Sequence, residues 1–188
     1  MDPDGRLLVG LVRLDPEKRE VTLPAAINMA EGLLEYALVS TRGKLHESLL
    51  VTPAEPLDLQ VALLLLGLKG NPTLQFQGDP VEIRVEWTAD GAPRQERIER
   101  LIVNRRLGGP MPATDWIYTG SVVRNGIYVP QIDRSIVATY HDPSAIINNP
   151  DPDGGSDKVW FVNTEAAPPR GTPVTVTIRV PAKEAKSK

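Results

Sequence analysis

Lys44, His46, Glu47 and Ser48 stand almost side by side in Gly43-Lys44-Leu45-His46-Glu47-Ser48-Leu49-Leu50, the densest group of reactive side chains in the chain. An imidazole can take a proton from a hydroxyl, and a carboxylate can orient the imidazole, so these residue types match nucleophilic catalysis. Only two histidines occur in the sequence. The second, His141, lies in Ala138-Thr139-Tyr140-His141-Asp142-Pro143-Ser144, a polar cluster that follows an apolar run. Imidazole and carboxylate also suit zinc, manganese or iron, which makes His46, His141, Glu35 and Asp142 a metal set if the two segments meet. Nothing in the spacing gives a local motif such as His-Glu-x-x-His, a phosphate loop, a nucleophile elbow or a dinucleotide fingerprint.

The elements that would position these groups read as strands. Leu33 to Thr41 and Lys44 to Val51 are strand-like, and Arg42-Gly43 between them supplies a tight-turn glycine, so a hairpin is expected. With a two-residue loop, Val39 faces His46, Ala37 faces Ser48 and Glu35 faces Leu50. Glu35, His46 and Ser48 then share one face, while Leu45, Glu47 and Leu49 take the other; a one-residue slip sends Glu35 across. His46 and Ser48 are also ordinary occupants of a polar sheet face. Glu47 falls on the apolar face, where it needs Lys44, Arg42 or backbone donors as partners, or an edge position that reaches water.

Asp151, Asp153 and Asp157 surround Gly154-Gly155 and resemble part of an oxygen-ligand calcium loop. The match is partial, because the fifth and twelfth positions counted from Asp151 are Gly155 and Val162. Acidic Pro/Gly turns are common on surfaces, so no cofactor is assigned, with calcium or a transition metal as the alternatives.

At 188 residues the chain is one domain, residues 1–182, with a polar tail at 183–188. A net charge of −3 argues against a nucleic-acid partner. The absence of cysteine excludes disulfides, thiolate nucleophiles and cysteine-held metal. The first residues show no signal peptide, and Val61 to Leu68 is far shorter than the ~20 residues a membrane span needs. That apolar run reads as a buried helix near residues 52–68, with Thr52-Pro53-Ala54-Glu55 as a capping box and Gly67 as its stop. Four successive leucines, Leu63 to Leu66, predict that it is covered on all sides.

Elsewhere β patterns dominate. Leu7 to Leu14 and Glu20 to Leu23 flank a turn at Asp15-Pro16-Glu17-Lys18. Val81, Ile83, Val85 and Trp87 alternate with polar residues, and Asp90-Gly91 turns that strand back towards Ile98 to Val103. Further strands are expected at Trp116 to Val123, Ile127 to Val129, Ile136 to Tyr140, Val159 to Asn163 and Val174 to Val180. The fold class is therefore α+β, predominantly antiparallel β and sandwich-like, with one buried helix.

Gly32-Leu33-Leu34-Glu35, Gly43 to Leu49, Ala62 to Gly67, Trp116-Ile117-Tyr118-Thr119-Gly120-Ser121 and Ala138 to Pro143 together resemble the YdjY-type domain, from about Val21 to Val180. The resemblance implies an exported bacterial protein, often lipid-anchored or carrying a signal peptide, whose biochemical role is not established. It implies a periplasmic or extracellular location and a protein or cell-envelope partner, although a cytoplasmic location stays open without an export signal. The reading preferred is a non-enzymatic binding or structural module using Lys44, His46, Glu47, Ser48, His141 and Asp142. The alternatives are a hydrolase using Ser48 with His46 or His141 and an acid such as Glu35, and a metal-binding module.

Overall fold

In the computed structural model, residues 5–71 and 77–181 are described. The chain begins with three strands joined by tight turns, β1 (Leu7–Val9), β2 (Val12–Asp15) and β3 (Glu20–Ile27). β4 (Tyr36–Ser40), a 3-10 turn at Leu45–Glu47 and β5 (Ser48–Thr52) lead into helix α1 (Pro56–Leu65). The alternating segment forms β6 (Asp79–Ala89), which turns at Asp90-Gly91 into β7 (Ala92–Arg97). Short strands β8 (Ile102–Asn104), β9 (Gly109–Pro110), β10 (Trp116–Tyr118), β11 (Val123–Arg124) and β12 (Ile127–Tyr128) follow. A single-turn helix α2 (Pro130–Asp133) precedes β13 (Ser135–Ala138), β14 (Ile147–Asn148), β15 (Trp160–Val162) and β16 (Pro173–Arg179).

Eight strands close on themselves in the order β3-β16-β6-β10-β14-β13-β4-β5, with β5 returning to β3 through Ala26↔Val51 and Ile27↔Leu50. The sandwich expectation is thereby corrected to a closed barrel. Alternation could not distinguish the two, because both bury every second residue. Closure depends on β3, which gives one half of an edge to β2 (Leu14↔Val21) and the other half to β5. Its other edge pairs with β16 along its whole length. The interior is filled by side chains such as Leu34, Leu50, Ile83, Trp116 and Val176, all fully buried. The strand that turns back from Asp90-Gly91 is β7, earlier than Ile98 to Val103; Ile98–Leu101 is a 3-10 turn.

The hairpin expected around Arg42-Gly43 does not form. β4 and β5 are parallel, with Tyr36↔Ser48 and Leu38↔Leu50. Residues 41–47 run back along β4 in seven residues, shorter than the dozen or so usual for such a connection. Arg42 at φ 72° reverses the chain, and Gly43 packs where a Cβ would stand 2.9 Å from the Ser40 carbonyl. The physical reason is Glu47. A continuous strand would turn its carboxylate into the core, whereas the 3-10 turn leaves it beside Lys44 at 3.8 Å. β13 and β14 are likewise parallel, joined by residues 139–146.

The helix is also shorter and less covered than expected. Thr52 ends β5, where its hydroxyl donates to the Pro24 carbonyl (2.6 Å) and accepts from the Ala54 amide (3.0 Å). Glu55 is the N-cap, without a side-chain cap bond. Leu59, Ala62 and Leu63, one face at i, i+3, i+4 spacing, enter the core. Leu57, Val61, Leu64 and Leu65 face outwards, the last being 61% exposed. No helix among the described residues is long and apolar enough to cross a membrane.

Candidate functional site

Tyr36, Val39, Ala138 and Ala145 form a second small core apart from the barrel interior, with Tyr140 packed against it. Residues 41–47 and 139–146, the two connections between parallel strands, supply the polar groups that meet there. The Tyr36 hydroxyl donates to Asp142 Oδ2 (2.9 Å), accepts from Lys44 Nζ (2.7 Å) and lies 3.0 Å from the Tyr140 hydroxyl. One proton and two lone pairs are thus all used. The two tyrosine rings meet edge to face at 5.6 Å, and Lys44 Nζ stands 4.8 Å from the Tyr36 ring centroid. Asp142 Oδ1 accepts from the Ser144 amide (2.8 Å), and the Asp142 amide donates to Asn148 Oδ1 (2.8 Å). Burial, reinforced by Tyr140 and Asp142, holds the Tyr36 phenol far above its usual range; burial pushes Tyr140 up to about 12. Both phenols are protonated at neutral pH and neither can act as a base. This cluster is a clasp that ties the two connections to β4.

The Glu35 and Glu47 carboxyl groups interact at the rim of the clasp, where the Glu35 amide donates to the Glu47 carbonyl (2.9 Å). Burial first, then the charge of Glu47, raises the Glu35 pKa above its usual value, with Asp157 adding to the effect. Lys44 at 3.8 Å and His46 at 3.5 Å face the same Glu47 carboxylate.

The side chains of the hydrolase alternative lie in different surroundings. Ser48 is fully buried and its hydroxyl donates to the Lys44 carbonyl at 2.7 Å. The His46 side chain is 80% exposed and turned towards Glu47. His141 lies against the acidic loop, with Nε2 3.2 Å from the Asp151 carbonyl and its amide donating to Gly154. Burial lowers the His141 pKa. Gly154 packs closely there, since a Cβ would fall 2.4 Å from His141 Nε2 and force the ring to shift. Among the described residues no group of three or more His, Asp or Glu side chains could hold a metal ion. In the acidic loop, Asp151 Oδ1 accepts from the Asp153 amide (2.8 Å) and Asp153 pairs with Arg106 and with Asn104 Nδ2 (2.8 Å). Asp157 is exposed beside them in sequence. These carboxylates shape a turn and do not converge.

A groove that sequence reasoning missed begins at His46. A cleft of about 680 Å³ is lined by Asn28, Glu31, Leu45, His46, Thr164 and Arg170. Glu31 and Thr164 also line an adjoining cavity of about 580 Å³ with Arg105, Phe161 and Val103. Asn28 Nδ2 holds the cleft wall by donating to the carbonyls of Leu45 (2.6 Å) and Ser48 (2.7 Å). The Arg105 guanidinium stacks 3.5 Å above the Phe161 ring. Arg105 and Arg170 make no ion pair among the described residues, so two guanidiniums, together with the Glu31 carboxylate, line the two adjoining cavities. The signal for the clasp was in the sequence, in Glu35-Tyr36 and Tyr140-His141-Asp142. For the groove there was none, because its residues come from four separate segments.

No curated protein and no solved structure matches this chain. The model of the YdjY domain matches residues 12–179, which take in the barrel, the clasp and the groove, and the chain belongs to that family.

Proposed function

We propose that this protein is a binding module whose groove, from His46 and Arg170 past Thr164 to Arg105 on Phe161, takes a carboxylate-bearing ligand. The observation that carries the reading is the pair of guanidiniums without ion pairs in two cavities that share Glu31 and Thr164. Guanidinium offers planar, paired donors that match a carboxylate, and stacking on Phe161 fixes one of them in advance. Asn28 and the Tyr36 clasp hold the backbone under His46, so the wall is organised before any ligand arrives. The hydrolase alternative has less support. Ser48 is sealed in the barrel wall, and its proton is committed to a backbone carbonyl. The implied export of the family adds placement outside the cytoplasm to the proposal.

Isothermal titration with a panel of mono-, di- and tricarboxylates and short acidic peptides tests it. Saturable binding that the Arg105→Ala/Arg170→Ala double variant weakens at least ~10-fold, with the melting temperature held, is the expected result. Binding unchanged by that variant, or turnover of an ester, peptide or glycoside that Ser48→Ala abolishes, would refute it.

A further inference from the structure

Asn28 does more in the cleft beside His46 than hold its wall. The residue is only 8% exposed, and Nδ2 donates to the carbonyls of Leu45 (2.6 Å) and Ser48 (2.7 Å). Those two acceptors fix the orientation of the amide, since an oxygen in the nitrogen's place would face two carbonyl oxygens. The Oδ1 atom is left over. It accepts from no group among the described residues, yet it is not sealed from solvent. Because Asn28 lines the cleft, that oxygen is a rigid acceptor in its wall.

Glu31 is a second acceptor. It is exposed, lines both adjoining cavities, and makes no ion pair among the described residues, although Arg170 lines the same cleft. The cleft therefore holds two kinds of group. Arg170 and His46 match a carboxylate, whereas Asn28 Oδ1 and Glu31 can only accept from a donor, and Glu31 repels a plain anion.

We propose that the ligand of this cleft is an amino carboxylate, with its carboxylate on Arg170 and its ammonium on Asn28 Oδ1 and Glu31. The proposal rests on the carboxylate reading of the groove and narrows it. An ammonium brings three donors and one positive charge, which suits a fixed neutral oxygen together with a carboxylate. A metal ion is a poorer occupant, because among the described residues no three His, Asp or Glu side chains converge to hold one. Met29 and Leu45 offer apolar contact to the carbon part of the ligand, and about 680 Å³ lies within the range of small-molecule sites.

Isothermal titration of the full chain tests this with acids that differ only by the amino group, L-glutamate against glutarate and L-norleucine against hexanoate. Each amino form should bind at least ~5-fold more tightly than its partner at neutral pH. Glu31→Gln should cut that preference at least ~3-fold and Glu31→Lys should reverse it, with the melting temperature held because Glu31 is exposed. Ala-Ala-Ala in the same series separates the sources: the ligand is a peptide if the tripeptide binds more tightly than either amino acid, and a free amino acid otherwise. Acids and amino acids that bind alike, and that both weaken in Arg105→Ala/Arg170→Ala, overturn this inference while the carboxylate reading stands. An amino preference that survives Glu31→Lys overturns it too, because the ammonium then sits elsewhere. No binding by any member of the series overturns both.

Discussion

Replacing Tyr36 with phenylalanine removes one oxygen from the centre of the clasp and leaves the aromatic packing intact. That oxygen serves Asp142 at 2.9 Å and Lys44 at 2.7 Å, both charged, with Tyr140 at 3.0 Å. The two partners respond differently. Lys44 has a side chain 43% exposed and regains water, so its share is small. Asp142 is 7% exposed and keeps only the Ser144 amide, so it bears the loss. A hydrogen bond to a buried charged group contributes about 1.5–3 kcal/mol, which places Tyr36→Phe at roughly 2–3 kcal/mol. For a domain of this size that corresponds to a fall of about 5–10 °C in Tm. Urea unfolding with a constant m-value reads the change directly. Combining it with Asp142→Asn should give a coupling energy of at least ~1 kcal/mol. A Tyr36→Phe variant within ~0.5 kcal/mol of the parent would mean that apolar packing alone holds the two connections.

Ser48→Ala should cost about 1 kcal/mol through the lost bond to the Lys44 carbonyl, whereas the exposed His46→Ala should stay within ~0.5 kcal/mol, both read by urea unfolding. Glu35 has a folded pKa raised above its ordinary 4.5, so its contribution is present below that value and lost as pH rises through the folded pKa. Glu35→Gln should accordingly match the parent in Tm near pH 4 and exceed it near pH 7; an advantage that shrinks with rising pH would contradict the Glu35–Glu47 pairing. Gly154→Ala must displace His141 from the acidic loop and should cost about 1–3 kcal/mol, with the His141 ring resonances moving in step.

Much of the barrel was legible because period-two alternation survives wherever a strand has one wet face. Val81, Ile83 and Val85 are fully buried in β6, and the last strand runs Pro173–Arg179 where Val174 to Val180 was expected. What alternation lacks is the partner of each strand. Lys44 to Val51 carried a strand pattern, but a carboxylate at Glu47 made a 3-10 turn the lower-energy course, and the hairpin became a parallel pair. The leucines of α1 failed for a related reason. Composition implied burial on all sides, while the barrel offers the helix one face, occupied by Leu59, Ala62 and Leu63. In the site, Lys44 and Asp142 do come together, with Glu47 beside Lys44, yet around the hydroxyl of Tyr36, which the motifs leave out, and next to Tyr140, which they include without a task. Ser48 and His46 part company because a chain that doubles back in seven residues sends one into the core and the other into solvent, while His141, on the other connection, lies against the acidic loop.

The two histidines make the central claim directly measurable, since the imidazole nitrogen spectrum of this chain holds only His46 and His141. Titrating the carboxylate that binds most tightly should shift the His46 signals saturably, because His46 lines the cleft, and leave His141 unmoved against the Asp151 carbonyl. The same titration on Arg170→Ala should need at least ~10-fold more ligand for half the shift. Saturable binding that moves His141 and leaves His46 in place would contradict the account, because the ligand would then sit away from the groove.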